Sequence, residues 1–184
     1  EQAQAIGESM ASYHSLDGAN VFGLPTRRLP IGWEEDTEAR AGREVHEVVS
    51  AAAAEFATYP ASGRLSLIHG DLFPDNMIWD NQERLHVLDW ETAAVDWAPL
   101  DLGFTLVGLA AEGPFDQGLC DGLLAGYARG GGNTPTGEDV RVAARYACAV
   151  LLFHRYRRHV VRYPDPARVD HWKGLLPFLD SVTP

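Results

Sequence analysis

Three polar side chains in the middle of the chain have the types and the spacing that phosphoryl transfer requires. Asp71 is followed five positions later by Asn76, and Asp89 comes at the end of a later apolar run. A loop carboxylate can orient a hydroxyl group and accept its proton, whereas amide and carboxylate oxygens are hard ligands of the kind that Mg²⁺ takes. Because the transition state of phosphoryl transfer is loose, a weak base and well-placed charges suffice. The three residues therefore predict a magnesium-dependent phosphoryl-transfer site.

The elements around these residues are expected to bring them together. Short apolar runs at residues 77–79 and 85–88 are separated by Asp80 and Asn81, turn residues that favour a β-hairpin. A further apolar run at residues 65–68 predicts the strand that leads into the loop before the hairpin. A hairpin brings the loop before its first strand close to the end of its second strand. The three polar side chains are thus predicted to meet at one end of a small sheet.

The sequence of this stretch resembles one branch of the protein-kinase-like phosphotransferases. His69, Asp71 and Asn76 have the spacing His-x-Asp-x4-Asn, within the longer pattern HGDLFPDN…VLDWE…PLDLG. This pattern resembles the aminoglycoside phosphotransferase, choline kinase and homoserine kinase branch. Protein kinases themselves carry Arg at the position that Gly70 takes here. The string HGDLFPDN is most similar to homoserine-kinase-like members.

The resemblance implies a role for each residue of the motif. It implies that Asp71 is the catalytic base and that Asn76 and Asp89 hold Mg²⁺ on the phosphates of ATP. Glu91 matches the acidic residue that follows the metal-binding Asp in choline-kinase-like sequences, so Glu91 would assist a second Mg²⁺ or meet the substrate. The cofactors implied are Mg²⁺ and ATP, with ATP as co-substrate.

Two further residues are expected to support the site. We interpret His69 as holding the loop by hydrogen bonding rather than touching the substrate. The resemblance implies that Asp101 braces the catalytic loop through backbone hydrogen bonds. On its own, Asp101 also favours the N-terminus of the helix in which it lies, and the two roles are compatible.

The rest of the sequence predicts a mainly helical α+β domain that spans residues 1–184. Apolar positions at helical spacing predict helices over residues 1–16, 36–56, 114–129, 136–163 and 167–182, with another that begins near Pro99. Asp36 or Thr37 is interpreted as the N-cap of the second helix. Asp96 is interpreted as a turn residue and His14 as a packed or capping histidine.

Composition sets limits on partners and compartment. The 184 residues are 46% hydrophobic and 22% charged, which is ordinary globular composition. The formal net charge of −11 argues against nucleic acid and anionic membrane as partners. Cys120 and Cys148 have no metal-ligand spacing, which suits a reducing cytosol, and no apolar run is long enough to span a bilayer. We therefore expect a cytoplasmic protein that binds neither nucleic acid nor membrane.

One part of the resembled kinases has no counterpart in this sequence. In those kinases an N-terminal lobe of small β-sheet type carries a Gly-rich loop and a Lys that cover the ATP phosphates. No such motif precedes the central stretch here. The resemblance therefore covers the C-terminal lobe alone. We expect a fragment that is inactive without the missing lobe, and whose partners are ATP and a small-molecule hydroxyl substrate.

A basic stretch near the C-terminus also carries chemistry. Residues 154–162 read HRYRRHVVR. This cluster could clamp an anionic substrate group or the nucleotide phosphates. It could equally be a solvated helix end that complements the helix dipole.

Two other classes of function stay open at this point. The first is a metal-dependent hydrolase with a two-metal cluster built from His69, Asp71, Asp75, His86 and Asp89. Strand alternation argues against it, because His86 and Asp89 should point to opposite faces. The second is a non-catalytic kinase-like module that binds a partner or a small molecule. The intact set of polar motif residues argues against such a loss of activity.

Overall fold

The structure, a computed structural model, describes residues 1–16, 23–38, 43–59 and 65–183. The helices in these ranges are α1 (Gln2–His14), α2 (Trp33–Glu38), α3 (Arg43–Thr58), α4 (Ala98–Leu109), α5 (Gln117–Arg129), α6 (Gly137–Tyr156) and α7 (Leu176–Val182). The strands are β1 (Leu65–Ile68), β2 (Met77–Trp79), β3 (Leu85–Val87) and β4 (Ala94–Trp97). The predicted mainly helical α+β class is confirmed, with two small antiparallel sheets.

The core is built around α6. This helix packs against α3 and α4, while α1 packs against α5. The middle of α6 is deeply buried, because Ala147, Val150 and Phe153 expose none of their surface. Gly103 lets α4 approach α6 closely, because a Cβ at this position would lie 2.8 Å from the backbone of Ala143. No helix in the described part of the chain combines the length and the apolar character that a membrane crossing needs.

Local capping signals explain where α5 and α6 begin. Thr136 caps α6 in a capping box with Asp139, where each residue's side chain accepts a hydrogen bond from the other's backbone amide. Asp116 caps α5, which begins three residues later than predicted. Beyond α6 the chain continues as a π-helical turn, Arg157–Arg162. The C-terminal helix predicted over residues 167–182 is instead a 3₁₀ turn, His171–Leu175, followed by α7.

The predicted N-cap at Asp36 or Thr37 is wrong. Both residues lie inside α2, which begins at Trp33, and the Thr37 hydroxyl donates to the carbonyl of Glu34 at 2.9 Å. The buried Trp33 ring packs edge-on against Phe153 of α6, so an apolar anchor starts a helix earlier than the capping signal suggested. Residues 39–42 of the helix predicted over residues 36–56 lie outside the described residues.

The predicted hairpin is confirmed. Strands β2 and β3 pair antiparallel, with Met77 opposite Val87 and Trp79 opposite Leu85. Asp80 closes the turn, because its carboxylate accepts hydrogen bonds from the backbone amides of Gln82 and Arg84. Side chains of this kind stabilise turns by binding backbone amides two residues on.

Strand β1 does not join the hairpin in one sheet. It pairs antiparallel with β4, from Leu65 opposite Trp97 to Ile68 opposite Ala94. The interpretation of Asp96 as a turn residue is therefore wrong, because Asp96 lies within β4 and is fully buried. The cause is a partner from a distant segment: the Arg28 guanidinium donates to both carboxylate oxygens of Asp96, at 2.9 and 2.7 Å.

Candidate active site

The loop that carries Asp71 connects β1 to β2 and is built on a tight backbone. Gly70 has a φ of +76°, a conformation that favours glycine. A Cβ on Gly70 would also lie only 3.0 Å from the Arg27 side chain. Arg27 binds the loop directly, since its Nε donates to the Gly70 carbonyl at 3.1 Å. Leu72 anchors the next position, because its side chain is fully buried.

Asp101, in the first turn of α4, holds this loop through hydrogen bonds to its backbone. Its two carboxylate oxygens accept hydrogen bonds from the backbone amides of His69 at 3.0 Å and Gly70 at 2.6 Å. Tyr13 and His14 of α1 donate to the same carboxylate at 2.9 and 3.0 Å. Complete burial alone would raise the pKa of Asp101, but these hydrogen bonds outweigh burial and lower it. Asp101 is therefore an ionised carboxylate that ties the loop to two helices.

His69 joins the loop to the end of the hairpin. Its Nε2 donates to the Leu88 carbonyl at 2.8 Å, and its Nδ1 accepts from the backbone amide of Asp71 at 3.3 Å. A neutral imidazole with its proton on Nε2 satisfies both contacts. The ring is fully buried and packs edge-on against Trp90, while the Thr92 hydroxyl donates to the His69 carbonyl. His69 thus fixes the distance between the Asp71 loop and the segment after β3.

Asn76 makes a second connection between the same two segments. It lies in a 3₁₀ turn, and its side-chain Nδ2 donates to the Asp71 carbonyl at 2.8 Å. Its own carbonyl accepts from the backbone amide of Leu88 at 2.9 Å. Since the amide nitrogen faces Asp71, the side-chain oxygen is left as an available hard ligand.

Asp89 directly follows Leu88 and stands in a left-handed conformation, with φ 56° and ψ 69°. Non-glycine residues in this region are uncommon and often occur at functional sites. The Asp89 side chain is exposed, as is that of Glu91 in the following 3₁₀ turn. Among the described residues, no three His, Cys, Asp or Glu side chains gather as a metal-binding cluster. The structure therefore does not bring Glu91 together with Asp71 and Asp89 in such a group.

The electrostatic surroundings of Asp71 favour its neutral form slightly. Partial burial raises the pKa of Asp71, and the negative charges of Asp75 and Asp89 act in the same direction. The positive charge of Arg27 opposes this shift but does not cancel it. A carboxylate with a raised pKa is a stronger base than an ordinary Asp once it is ionised.

Sequence reasoning missed three residues that contact this site or its support. Arg27 comes from a loop 43 positions before Gly70, and nothing in its surroundings marks it as a site residue. Tyr13 and His14 occupy apolar positions of α1 and look like ordinary core residues. The interpretation of His14 as a packed histidine is confirmed, because it is buried, but its partner is Asp101 of the site.

The hydrolase alternative is not supported by this geometry. His86, which it requires as a metal ligand, lies in β3 and pairs with Asp80 of the hairpin turn at 3.1 Å. The Nε2 of His69 is already bound to a carbonyl. Together with the lack of a His/Asp cluster in the described ranges, these contacts argue against the two-metal hypothesis.

Two cavities lie near the loop and its support. One, of about 270 Å³, borders the Asp71 loop and contains Phe73, Pro74, Asp75, Glu112 and Arg155 among its lining residues. In it, Arg155 and Glu112 form an ion pair at 2.6 Å. A larger cavity of about 420 Å³ lies beside His14 and Tyr127 but is lined by none of the motif residues. The smaller cavity therefore lies beside the segment that follows Asp71 in the loop.

Comparison with known sequences gives relatives among homoserine kinases. The homoserine kinase of Pseudomonas aeruginosa (strain UCBPP-PA14) is 29% identical over 134 residues, which cover 68% of this chain and 42% of that protein. The homoserine kinase of Chelativorans sp. (strain BNC1) is 30% identical over 131 residues, which cover 66% of this chain and 41% of that protein. The chain thus spans about two fifths of the length of the curated relatives it matches.

Solved structures show the same fold. The macrolide 2'-phosphotransferase MphH from Brachybacterium faecium matches with a TM-score of 0.63 at 23% identity, covering 95% of this chain and 59% of that one. A choline/ethanolamine kinase family protein from Mesorhizobium loti matches with a TM-score of 0.64 at 19% identity, covering 98% and 62%. At these identities the likeness speaks for the fold alone.

The family follows from the sequence itself. Residues 1–141, well over half of the chain, match the model of the phosphotransferase enzyme family. The matched range contains the Asp71 loop, the hairpin and the Asp101 brace. The chain therefore belongs to the phosphotransferase enzyme family, and its fold is that of the solved macrolide phosphotransferase and choline/ethanolamine kinase family protein.

Proposed function

We propose that this chain carries the catalytic part of an ATP-dependent kinase that transfers the γ-phosphoryl group of ATP to a hydroxyl of a small molecule. The observation that carries the proposal is the hydrogen bond from Asn76 Nδ2 to the Asp71 carbonyl, at 2.8 Å. It joins the proposed base to a proposed metal ligand. The bond from the Leu88 amide to the Asn76 carbonyl, at 2.9 Å, then joins both to the segment that presents Asp89.

In the proposed reaction Asp71 orients the acceptor hydroxyl and accepts its proton. The donor set fits Mg²⁺, because Asn76 offers an unused amide oxygen and Asp89 an exposed carboxylate. Bound Mg²⁺ would neutralise charge on the ATP phosphates. Glu91, exposed in the turn after Asp89, is proposed to act at the rim of this site, towards a second Mg²⁺ or the acceptor.

His69 and Asp101 are proposed to keep the site rigid rather than to react. Catalytic groups must be held within a fraction of an ångström of the productive geometry. The amide and imidazole contacts of the loop supply that constraint, since every one of them is buried or half-buried. The site residues therefore depend on a shell that does not touch the substrate.

The acceptor is proposed to bind in the 270 Å³ cavity beside the loop. Asp75 and Glu112 supply carboxylates there, and Arg155 supplies a guanidinium. An acceptor with an ammonium group suits these carboxylates. Homoserine is our first candidate, because the sequence relatives are homoserine kinases. Choline, aminoglycosides and simple sugars are the alternatives.

We further propose that the chain acts as a C-terminal lobe, with the ATP cradle completed by an N-terminal lobe outside this sequence. The support is that the chain spans 42% of the homoserine kinase from Pseudomonas aeruginosa. A cytoplasmic location is proposed with it, because ATP and homoserine are metabolites of that compartment. Activity therefore belongs to the longer protein.

The test is phosphoryl transfer by the product of the complete reading frame. It would be incubated with Mg²⁺ and ATP against homoserine, choline, aminoglycosides and simple sugars. Asp71→Asn keeps the shape of the side chain, and we expect it to lower kcat by at least about a thousandfold. His86→Ala, on the exposed face of the hairpin, is the matched control and should leave kcat unchanged. Absence of both transfer and Mg²⁺-dependent ATP binding would favour a non-catalytic binding module instead.

A further inference from the structure

Two arginines beyond the end of α6 are unusual in a chain whose formal net charge is −11. Their neighbours form ion pairs: Arg155 binds Glu112, and Arg157 binds Asp36 at 2.7 Å. Within the described ranges, the exposed guanidinium groups of Arg158 and Arg162 have no ion pair and no hydrogen bond, and Arg162 lies over the ring of Tyr163 at 5.4 Å from its centre. Neighbouring cations without acidic partners repel each other unless an anion lies between them.

These arginines line a concave site. The cavity has a volume of about 340 Å³, and its lining consists of His154, Arg157, Arg158, Arg162 and Tyr163. The π-helical turn creates this arrangement, since its hydrogen bonds join residues five apart, as the Tyr163 amide does with the Arg158 carbonyl at 2.9 Å. π-helical turns often occur at functional sites.

A favourable interaction with the helix dipole accounts for only part of this arrangement. Basic side chains are stabilising near the negative end of a helix, but the effect falls off within the last turn. The helical path continues from α6 through the π-helical turn, so Arg162 lies in its last turn and gains from this effect. The dipole gives no reason, however, for a cavity lined almost wholly by cationic and polar side chains.

The cavity lies near the Asp71 loop. Arg27 binds the Gly70 carbonyl on one side, and its positive charge acts on His154 on the other. Burial, together with the charges of Arg27 and Arg157, lowers the pKa of His154 to about 4. At neutral pH His154 is therefore uncharged and offers a hydrogen bond to a ligand, while the arginines offer charge.

We infer that this cavity binds an oxyanion group, a carboxylate or a phosphate, of a small molecule. Guanidinium groups bind planar oxyanions through paired, charge-assisted hydrogen bonds. Two sources fit the chemistry: a carboxylate on the acceptor, and a phosphate of the nucleotide. Binding of the oxyanion stands independently of the proposed function, and only its assignment to one of these two sources rests on that function.

The first experiment measures anion binding alone. The probe is inorganic phosphate, titrated at constant ionic strength into the chain and followed by the NMR signals of the arginine Nε–H groups. We expect saturable binding that is at least about tenfold weaker in the double variant Arg158→Gln/Arg162→Gln. The matched control Arg43→Gln/Arg168→Gln removes the same charge from two exposed, paired arginines and should bind as the unaltered chain does.

Either of two results would overturn the inference. One is the absence of saturable phosphate binding to the unaltered chain. The other is equal weakening in both double variants, which would mean that net charge rather than this cavity attracts the anion. Thermal unfolding of both variants is compared in parallel, so that loss of structure is distinguished from loss of the site.

The second experiment identifies the source and uses the product of the complete reading frame. If the acceptor supplies the oxyanion, Arg158→Gln/Arg162→Gln should raise the KM for homoserine about tenfold but not that for 3-aminopropan-1-ol, which lacks the carboxylate. If the nucleotide supplies it, the KM for ATP should rise instead. Failure of the proposed function would remove all turnover in the unaltered protein and leave the phosphate titration as it was.

Discussion

Single side chains decide how the candidate site is held. Asn76 uses its amide nitrogen to bind the Asp71 carbonyl, and this choice aims its oxygen away from the loop. Asp101 uses both carboxylate oxygens, each for a different backbone amide of the same loop. Neither contact is replaceable by a side chain of similar size that lacks the right donor or acceptor.

Replacement of Asn76 separates its two proposed tasks. In Asn76→Ala we expect unfolding free energy to fall by about 1 kcal/mol, because one half-buried hydrogen bond is lost. The concentration of Mg²⁺ needed for half-maximal activity should rise more than about tenfold, because a metal ligand is lost. Activity would be measured against Mg²⁺ in the product of the complete reading frame. Asn81→Ala, in the exposed hairpin turn, is the control, and an equal Mg²⁺ requirement in both variants would contradict the assignment.

Replacement of Asp101 tests the brace. Asp101→Asn retains the shape but removes the charge and turns an N–H group towards at least one donor. We expect unfolding free energy, from urea denaturation, to fall by about 2–4 kcal/mol, since buried charged hydrogen bonds are lost. Asp121→Asn, on the exposed face of α5, should change it by less than about 0.5 kcal/mol. A small effect at Asp101 would mean that the loop holds its shape without the brace.

At the scale of secondary-structure elements, the site depends on how closely α4 and α6 approach. Strand β4 runs directly into α4, which begins at Ala98 and carries Asp101 in its first turn. The distance between α4 and α6 therefore affects where Asp101 is placed relative to the Asp71 loop. Small residues where α4 contacts α6, including Gly103, permit the two helices to approach this closely.

A methyl group added where α4 contacts α6 should lower the unfolding free energy. In Gly103→Ala the new Cβ would lie 2.8 Å from the Ala143 backbone, which cannot move without shifting α6. We expect a loss of about 1–3 kcal/mol in unfolding free energy from overpacking. Gly137→Ala is the matched control, because a Cβ there meets nothing within 4 Å and alanine favours the helix. Equal stability of the two variants by chemical denaturation would show that the helices separate easily.

At the scale of the whole molecule, acidic and basic groups are unevenly distributed. The chain carries a formal net charge of −11, yet the end of α6 gathers several arginines around a half-buried histidine. That histidine stays neutral in the folded chain because burial and the neighbouring guanidinium groups disfavour its charge. Global stability should therefore respond to pH through this residue.

The direction of this response follows from proton linkage. The pKa of His154 is about 4 in the folded chain and about 6.5 when unfolded, so the unfolded chain binds more protons between these values. Its contribution to stability is complete above pH 6.5 and is lost as pH falls towards 4. We expect unfolding free energy to drop by about 2 kcal/mol more in the unaltered chain than in His154→Gln between pH 7 and 4.5. Parallel pH curves for the two would contradict this.

The sequence by itself determined the parts of this protein that local interactions specify. The motif around Asp71 and Asn76 indicated the phosphotransferase family, turn residues specified the β2–β3 hairpin, and apolar spacing specified most helices. Each of these signals lies within a few consecutive turns or strands, where propensity and burial pattern act in the same direction.

Only the tertiary structure decided which distant segments complete the site. The pairing of β1 with β4, the bond from Arg27 to the loop and the bonds from α1 to Asp101 join residues far apart in sequence, 43 positions for Arg27 and 87 for His14. No local propensity encodes such contacts, because a buried carboxylate or carbonyl accepts any donor that the packing of the helices brings within reach. The packing of the helices thus selected the hydrogen-bond donors of Asp101, and these donors keep its carboxylate ionised.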